Sequence, residues 1–352
     1  MPVSDRPRCC PGIAADPPDK CSTIDTLEAI SRRSLRIVAR KGRHRQMRIG
    51  VTGAGGFVGQ ALVAALAGSG LSVVATDRRL DGLPAGIERV EGDLGDPAVR
   101  AALIGGGLDV LIHLATVPGG AAETDPAESR RINVDAMYDL LLEASAASPG
   151  LRVVFASSIA VFGEPMPPLV DDQTTLAPKL IYGGHKAMME AAVALFSQRG
   201  MIDGVSVRLP GVLARPQGPS GLKSAFLSDL FHALRAGNAF TCPVAAQGTI
   251  WAQSVSCAAA NLLHAAKLDT AQLPPTRAVT LPALRVTVGE LVAEIARQCN
   301  VTADLVRHEP DQALQATFAA QPPLLTPAAD RAGFVHDGNL AALVTSALST
   351  LR

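Results

Sequence analysis

Short apolar runs alternate with segments of helical periodicity along most of this chain, beginning at Arg48. The first run, Arg48–Thr52, leads into a helical pattern near residues 56–69. Five more runs predict strands, namely LSVVATD, IERVEGDL, DVLIHLA, LRVVFASS and GVSVRLP. These runs are apolar without polar alternation and most are separated by helical segments, which is typical of a parallel sheet covered on both faces. The sequence therefore predicts an α/β fold built on a doubly wound parallel sheet.

The character of the chain changes on both sides of this region. Residues 1–46 show no hydrophobic period, and we interpret them as a disordered leader or a misassigned start, with Met47 as the natural first residue. The alternative is an organelle-targeting peptide or a membrane-surface arm, since Arg-rich leaders can target organelles. Residues 47–210 form the first predicted domain. Residues 211–352 form a smaller mixed C-terminal region, interleaved with the first.

Composition narrows the possible function classes. Of the 352 residues, 48% are hydrophobic and only 3% aromatic, so Ala, Val and Leu must fill the core. Residues after 46 carry 22 basic and 27 acidic side chains. This part of the chain therefore has no net positive charge that would attract nucleic acid. No apolar run approaches the roughly 18 residues that span a bilayer. The six cysteines lack metal-site spacing, and scattered thiols fit a reduced, cytoplasmic protein.

A glycine-rich turn joins the first predicted strand to the first predicted helix, with glycines at Gly53, Gly56 and Gly59. Such glycines allow a tight turn and close approach of the backbone to a pyrophosphate, which the helix N-terminus then binds. Asp77, at the end of the second strand, suits hydrogen bonding to the adenosine ribose. The sequence thus predicts a Rossmann-type NAD site, with NADP left open by the neighbouring Arg78 and Arg79.

A second constellation combines Ser158 in FASSIAVFG with Tyr182 and Lys186 in YGGHK. A tyrosine normally holds its proton, with a reference pKa of about 10. A lysine one helical turn later shares its face and can stabilise the phenolate. A serine hydroxyl can polarise the hydroxyl or carbonyl group of a substrate, so a tyrosine of lowered pKa can exchange a proton with it. This arrangement predicts a catalytic site.

These motifs together resemble the extended short-chain dehydrogenase/reductases of the NAD-dependent epimerase/dehydratase family, from Met47 almost to the end of the chain. The resemblance is carried by TGAGGFVG, GDL at 92–94, HLA at 113–115, NV at 133–134, SSIAVFG and YGGHK. It implies that Ser158, Tyr182 and Lys186 are catalytic and that Asn133 helps to organise the site. The cofactor contacts expected in this chain are Gly53, Gly56, Phe57, Val58, Gly59, Asp77, Asp93, Leu94, Leu114, Ala115, Tyr182, Lys186, Pro210 and Val212.

Departures from the family pattern help to choose the reaction. Dehydratases and decarboxylases of the family carry acidic side chains just after the catalytic serine or threonine, where this chain has Ile159 and Ala160. Sugar epimerases typically show an asparagine after the sixth strand, where this chain has Pro210 and Gly211. The segments RLPGVLARPQGPSGLKSAFLSDLF and CPV, with Trp251, are similar to those of a D-erythronate dehydrogenase-like branch.

That branch implies NAD-dependent oxidation of a small sugar acid at C2 to the 2-oxo acid by hydride transfer. Tyr182 would remove the hydroxyl proton with the help of Lys186, and Ser158 would hold the oxygen. Arg215 is the predicted partner of the substrate carboxylate, and Trp251 either walls the pocket or packs in the core.

Two alternatives stay open: a nucleotide-sugar epimerase with a transient keto intermediate, and a non-catalytic NAD-sensing protein. The resemblance also implies a homodimer formed through the helices RRINVDAMYDLLLEA and GGHKAMMEAAVALF.

Overall fold

The computed structural model describes residues 46–217 and 224–351. The predicted leader, residues 1–46, lies outside the described residues apart from Gln46, so its interpretation stays a prediction. The strands of the described residues are Arg48–Thr52 (β1), Ser72–Asp77 (β2), Glu88–Glu91 (β3), Val110–His113 (β4), Leu151–Ser158 (β5), Ile202–Leu209 (β6), Gly211–Val212 (β7), Phe240–Cys242 (β8), Thr249–Gln253 (β9), Ala278–Thr280 (β10), Leu284–Thr287 (β11) and Val306–His308 (β12).

Helices connect most of these strands. In chain order they are Phe57–Leu66 (α1), Pro97–Ile104 (α2), Gly119–Thr124 (α3), Pro126–Arg130 (α4), Met137–Ala147 (α5), Ile181–Gln198 (α6), Phe226–Arg235 (α7), Val255–Ala265 (α8), Val288–Cys299 (α9), Gln312–Phe318 (α10), Pro327–Arg331 (α11) and Leu340–Thr350 (α12). A π-helical segment, Arg131–Ala136, joins α4 to α5, and short 3₁₀ turns lie at Ile159–Val161, Thr270–Gln272 and Ala303–Leu305.

The central sheet has seven strands in the order β10-β6-β5-β4-β1-β2-β3, all parallel. One face is covered by α1 and α8, whose apolar side chains share a core with β1 and β2. The other face is covered by α2, α5 and α6. The predicted α/β, doubly wound parallel sheet is confirmed. Strand order reverses between β1 and β4, and in such sheets the crevice at the carboxyl ends opens at this point.

Two small sheets lie after residue 210, one with the order β11-β9-β7 and one pairing β12 with β8. A separate core there is formed mainly by α7, α9 and α12 against β9. From the same part of the chain, β10 returns to the central sheet and α8 packs on its face. The predicted domain ranges 47–210 and 211–352 therefore describe chain order, and their boundary stays a prediction. Within the described ranges, no helix has both the length and the apolar character needed to cross a membrane.

Candidate active site

A cavity of about 510 Å³ opens at the carboxyl ends of the central strands. Almost all of the predicted site residues line it, and Asn133 is the exception. The lining set comprises Gly53, Gly56, Phe57, Val58, Gly59, Asp77, Asp93, Leu94, Leu114, Ala115, Ser158, Tyr182, Lys186, Pro210, Val212, Arg215 and Trp251. Residues far apart in the sequence are thus brought together in one cleft, although their individual roles stay predictions.

The glycine turn has the shape that a pyrophosphate needs. Gly53 adopts a φ of 68°, in the left-handed region that favours glycine. A side chain at Gly59 would clash, because an added Cβ would lie 2.1 Å from the Gly53 carbonyl oxygen. Helix α1 begins after Gly56 without a side-chain cap and without an acidic residue in its first turn. Its free N–H groups and positive dipole end therefore fit the phosphates of a dinucleotide.

Two carboxylates lie at the outer part of the cavity. Asp77 Oδ2 accepts a hydrogen bond from the Gly55 N–H at 3.0 Å, which ties the end of β2 to the glycine turn. Asp93 accepts two hydrogen bonds from Arg131, at 2.9 and 2.7 Å. The Arg131 guanidinium holds the pKa of the Asp93 carboxyl below its usual value. Among the described residues, Asp93 thus forms an ion pair with Arg131, whereas Asp77 accepts hydrogen bonds from backbone N–H groups and forms no ion pair.

Tyr182 lies at the start of α6 and lines the cavity together with the hydroxyl-bearing residues Ser158 and Thr116. Burial raises the pKa of Tyr182, whereas the charge of Arg215 and the two hydroxyl groups act in the opposite direction. The sequence predicted a lowered pKa for Tyr182. In the protein without cofactor or substrate, burial dominates and the pKa is raised. Ser158 Oγ accepts the Ala160 N–H at 3.2 Å, which leaves its own hydrogen free for another oxygen.

Lys186 is buried one turn further along α6, and its ammonium group lies 5.5 Å from the centre of the Tyr182 ring. It donates to the Ala156 carbonyl at 2.8 Å. Burial lowers the pKa of Lys186 to about 7, and the Glu190 carboxylate opposes the shift. Lysine can therefore exchange a proton near neutral pH, because both of its protonation states are populated there.

His113 is a buried residue close to Lys186. Thr52 Oγ1 accepts N–H groups from Leu114 and Ala115, so its own hydrogen donates to His113 Nδ1 at 2.9 Å. The proton of the neutral ring is therefore on Nε2. Burial, together with the Lys186 charge, lowers the pKa of His113 to about 3. This histidine is neutral at working pH and acts as a packing residue.

Asn133 lies behind the cavity wall on the π-helical segment. The sequence predicted one continuous helix here, but the chain widens by one residue per turn at Arg131–Ala136. Widened turns of this kind are frequent at functional sites. Asn133 Oδ1 accepts the Val117 N–H at 2.7 Å, and Nδ2 donates to the Val117 carbonyl at 3.0 Å. Asn133 thereby fixes the segment that follows β4, which forms one wall of the cavity.

Arg215 and Trp251, two of the residues predicted to contact the substrate, differ in the chemistry of their side chains. The Arg215 guanidinium lies 5.7 Å from the centre of the Phe57 ring, and burial lowers its pKa from the ordinary value. Among the described residues, Tyr182 is the titratable group that interacts electrostatically with Arg215. No carboxylate of these residues neutralises the guanidinium. Trp251 is fully buried, packs edge-on against Phe162, and donates its indole N–H to the Pro322 carbonyl at 2.7 Å. Arg215 can therefore bind an anion, whereas Trp251 contributes apolar wall.

Sequence reasoning gave no role to three residues of this site. Thr116 lines the cavity directly after the HLA motif, where its position alone could have marked it. Glu123 Oε1 accepts the Ile181 N–H at 2.7 Å and so caps α6 from a distant part of the chain. His185 on α6 is half-buried, with Nδ1 2.9 Å from Ser129 Oγ. Only the folded chain reveals the last two contacts.

In residues 46–217 and 224–351, no cluster of three or more His, Cys, Asp or Glu side chains is placed to hold a metal ion.

Comparison with known proteins gives concordant results. The sequence model of the NAD-dependent epimerase/dehydratase family matches residues 49–257. D-erythronate dehydrogenase of Cupriavidus necator is 35% identical over 283 residues, which cover 75% of this chain and 86% of that protein. D-erythronate dehydrogenase of Haemophilus influenzae is 29% identical, with 78% and 90% covered.

A solved structure is similar over most of its length. It is described as a nucleoside-diphosphate-sugar epimerase from Agrobacterium tumefaciens, and it is 30% identical with a TM-score of 0.78. The likeness covers 89% of this chain and 97% of that one.

Proposed function

The chain belongs to the NAD-dependent epimerase/dehydratase family, among the extended short-chain dehydrogenase/reductases, and on that premise we propose that it oxidises the C2 hydroxyl group of a small sugar acid. It is an NAD-dependent dehydrogenase of this family. The D-erythronate dehydrogenases that it resembles support an aldonate of similar size as substrate. The position oxidised and the roles of the residues below are parts of the proposal.

The observation that carries the proposal is that Tyr182 and Arg215 line the same cavity, where the charge of Arg215 acts on the tyrosine. A buried guanidinium stays charged, and it is stable there only when an anion or polar group faces it. No described carboxylate neutralises Arg215, so a carboxylate group of the substrate fits the space that it faces. A sugar acid held by Arg215 would present a neighbouring hydroxyl group to Tyr182.

In this proposal, each site residue has a distinct role. When bound, NAD supplies the acceptor for hydride, and Gly53, Gly56 and Asp77 would hold it. Tyr182, as the phenolate, takes the proton of the substrate hydroxyl group, while Ser158 donates its free hydrogen to the same substrate oxygen. Lys186 lies near the tyrosine with a pKa of about 7 and adds positive charge in its protonated state.

A nucleotide-sugar epimerase is the second candidate, and the similarity to the Agrobacterium tumefaciens structure favours it. An epimerase of this type returns the hydride to its substrate, so reduced cofactor does not accumulate. A dehydrogenase releases NADH in proportion to the substrate oxidised. The two candidates therefore differ in one easily measured product.

The test is the formation of NADH from NAD with four- to six-carbon aldonates, compared with the corresponding neutral polyols. We expect turnover with an aldonate, and a loss of at least about 100-fold in Tyr182→Phe with NAD binding retained. Arg215→Met should lower kcat/KM for the aldonate by roughly 10- to 100-fold, because a charge-assisted pair is lost, and Arg215→Lys should lose less. NADH formation in Tyr182→Phe at the wild-type rate would refute the assignment, and epimerisation of a nucleotide sugar without NADH would favour the second candidate.

We also propose that the protein acts as a homodimer in the cytoplasm. Helices α5 and α6 expose four large apolar side chains, at 40–56% of their full accessibility: Tyr138, Leu142, Met188 and Leu195. Tyr138 packs edge-on against Phe196 at 5.3 Å, which joins the two helices into one surface. A second copy of the chain would bury this surface, which agrees with the expectation from the sequence.

A further inference from the structure

Gln321 brings an amide group to the wall of the cavity from the segment between α10 and α11. The Gln321 N–H donates to the Thr249 carbonyl at 3.0 Å, and the Thr249 N–H donates to the Ala319 carbonyl at 3.0 Å. The Gln321 carbonyl accepts hydrogen bonds from Thr249 Oγ1 at 2.7 Å and from Arg285 Nε at 2.9 Å. These bonds hold the main chain at Gln321 against β9, so the starting point of its side chain is fixed.

The amide group of Gln321 has one orientation. Its Oε1 accepts the Trp251 N–H, and a flipped amide would place Nε2 against that donor. Among the described residues Nε2 has no hydrogen-bond acceptor, yet it is not sealed from solvent. Gln321 is only 8% exposed and lines the cavity, so the open side of its amide nitrogen is the cavity. Nε2 is therefore a free donor in the cavity wall.

Trp251 connects this donor to the predicted catalytic residues. The tryptophan packs in one apolar cluster with Ile159 and Ala187. These two residues directly follow the predicted catalytic serine and lysine in the chain. Because Gln321 is bonded to the backbone of Trp251, its amide borders the part of the cavity in which the substrate would react.

The surroundings of Gln321 call for a polar ligand. The same segment also brings Thr317 to the cavity wall, but the Thr317 hydroxyl group has acceptors at 2.9 Å in Glu164 Oε2 and in the Ala313 carbonyl. The other lining residues of this segment are apolar, namely Ala316, Phe318 and Ala320. A polar group beside apolar side chains costs free energy unless it is hydrogen-bonded. An oxygen atom of the bound molecule therefore fits beside Nε2.

We propose that Gln321 is a substrate-binding residue whose Nε2 donates a hydrogen bond to a hydroxyl group of the sugar acid beyond C2. This inference rests on the proposed function, in which Arg215 binds the carboxylate and Tyr182 faces the C2 hydroxyl group. An acid that has only the C2 hydroxyl group leaves Nε2 without an acceptor once the substrate has displaced water, and such an unmade bond lowers affinity. Gln321 thereby selects polyhydroxylated acids over simple 2-hydroxy acids.

The test compares two four-carbon acids with the same configuration at C2. Erythronate has hydroxyl groups at C3 and C4, whereas 2-hydroxybutanoate has neither. NADH formation at saturating NAD gives kcat/KM for each acid, and the ratio of the two values measures what the additional hydroxyl groups contribute. We expect the wild-type protein to prefer erythronate by at least about tenfold.

Gln321→Met removes the amide group but keeps nearly the same length and volume. It should lower the ratio of the two kcat/KM values about tenfold, because the donor to the additional hydroxyl groups is lost. The variant also removes the acceptor of the Trp251 N–H. A structural defect from that loss would lower kcat/KM for both acids by the same factor, so the ratio reports the contact with the substrate alone.

The matched control is Gln315→Met on α10. Both polar atoms of Gln315 are bonded within the chain: Oε1 accepts the Ala245 N–H at 2.7 Å, and Nε2 donates to the Ala319 carbonyl at 2.7 Å. Gln315 also lies outside the described cavity lining. This variant should therefore keep the ratio within about twofold of the wild-type value.

An unchanged ratio in Gln321→Met, with NADH still formed from erythronate, would overturn the inference and leave the proposed function intact. If Gln321→Met does not fold, Gln321→Asn draws the amide nitrogen back by one methylene group and should lower the ratio in the same direction. Equal kcat/KM values for the two acids in the wild-type protein would overturn the inference without any variant. A protein that forms NADH from no sugar acid would contradict the proposed function, and this inference would fall with it.

Discussion

Lys186 is a buried cation, and its burial opposes folding at neutral pH. Burial lowers its pKa to about 7 from an ordinary value of 10.5, and Glu190 only partly opposes the shift. Between these two values the unfolded chain binds a proton that the folded chain does not bind. The free energy of unfolding therefore rises with pH across this interval, and the full penalty is present below about pH 7.

We expect Lys186→Met to raise the free energy of unfolding at neutral pH by roughly 1–3 kcal/mol while turnover is lost. The change removes the cost of burying the ammonium group but leaves the Ala156 carbonyl without its partner. The gain should shrink as the pH approaches the ordinary lysine pKa. Urea unfolding at several pH values measures it, with Lys179→Met at an exposed lysine as the control. A gain that is independent of pH would show that the pKa of Lys186 is not lowered.

Individual site residues were predictable to different degrees. Ser158, Tyr182 and Lys186 belong to local patterns of residue type and spacing, which the sequence displays directly. Arg215 was predicted from the chemistry of the substrate, and the cavity does contain it. The contact between His185 and Ser129 joins α6 to α4, and no spacing along the chain indicates such a pair. Glu123 and His185, which form hydrogen bonds between distant elements, are residues that sequence reasoning missed.

At the scale of elements, the central strands agree closely with their apolar runs. The limits of the first strand, Arg48–Thr52, are easy to predict, because a glycine turn directly follows the apolar run. The segment RRINVDAMYDLLLEA is different, because the sequence predicted one helix and the chain forms the end of α4, a π-helical segment and most of α5. The hydrogen bonds of Asn133 to Val117 lie at this widened turn. A tertiary contact of this kind leaves no trace in the hydrophobic pattern.

The exposed faces of α5 and α6 allow a test of the proposed dimer. Leu142 and Leu195 are 42% and 48% exposed, and a charge at either position would be buried without a partner in a helix-to-helix interface. We therefore expect Leu142→Glu combined with Leu195→Glu to convert the dimer to monomers in sedimentation-velocity experiments. Leu325→Glu is the matched control, since Leu325 is 54% exposed and its N–H is bonded to the Val170 carbonyl, a residue outside both helices. A wild-type protein that sediments as a monomer would contradict the proposed dimer outright.

At the scale of the whole molecule, the cavity draws on both halves of the chain. Its walls include Gly53 and Asp77 from the early strands, and Arg215, Trp251 and Gln321 from beyond residue 210. The sequence predicted that the later region is interleaved with the first, but not which parts return to the sheet. Strand β10 has only three residues, and so short a segment carries too little pattern to be identified from sequence.

Cofactor binding should therefore stabilise the whole fold, and the size of the effect should report cofactor preference. NAD at about 100 times its Kd should add about 2.7 kcal/mol to the free energy of unfolding, or roughly 4–8 °C in Tm. NADP at the same concentration should add less, because its 2′-phosphate would approach the Asp77 carboxylate at the end of β2. Asp77→Asn should narrow the difference between the two cofactors, and Asp81→Asn, at an exposed position outside the cavity lining, should not. Differential scanning fluorimetry measures all four combinations, and equal shifts with NAD and NADP in the wild-type protein would exclude Asp77 as the residue that discriminates between them.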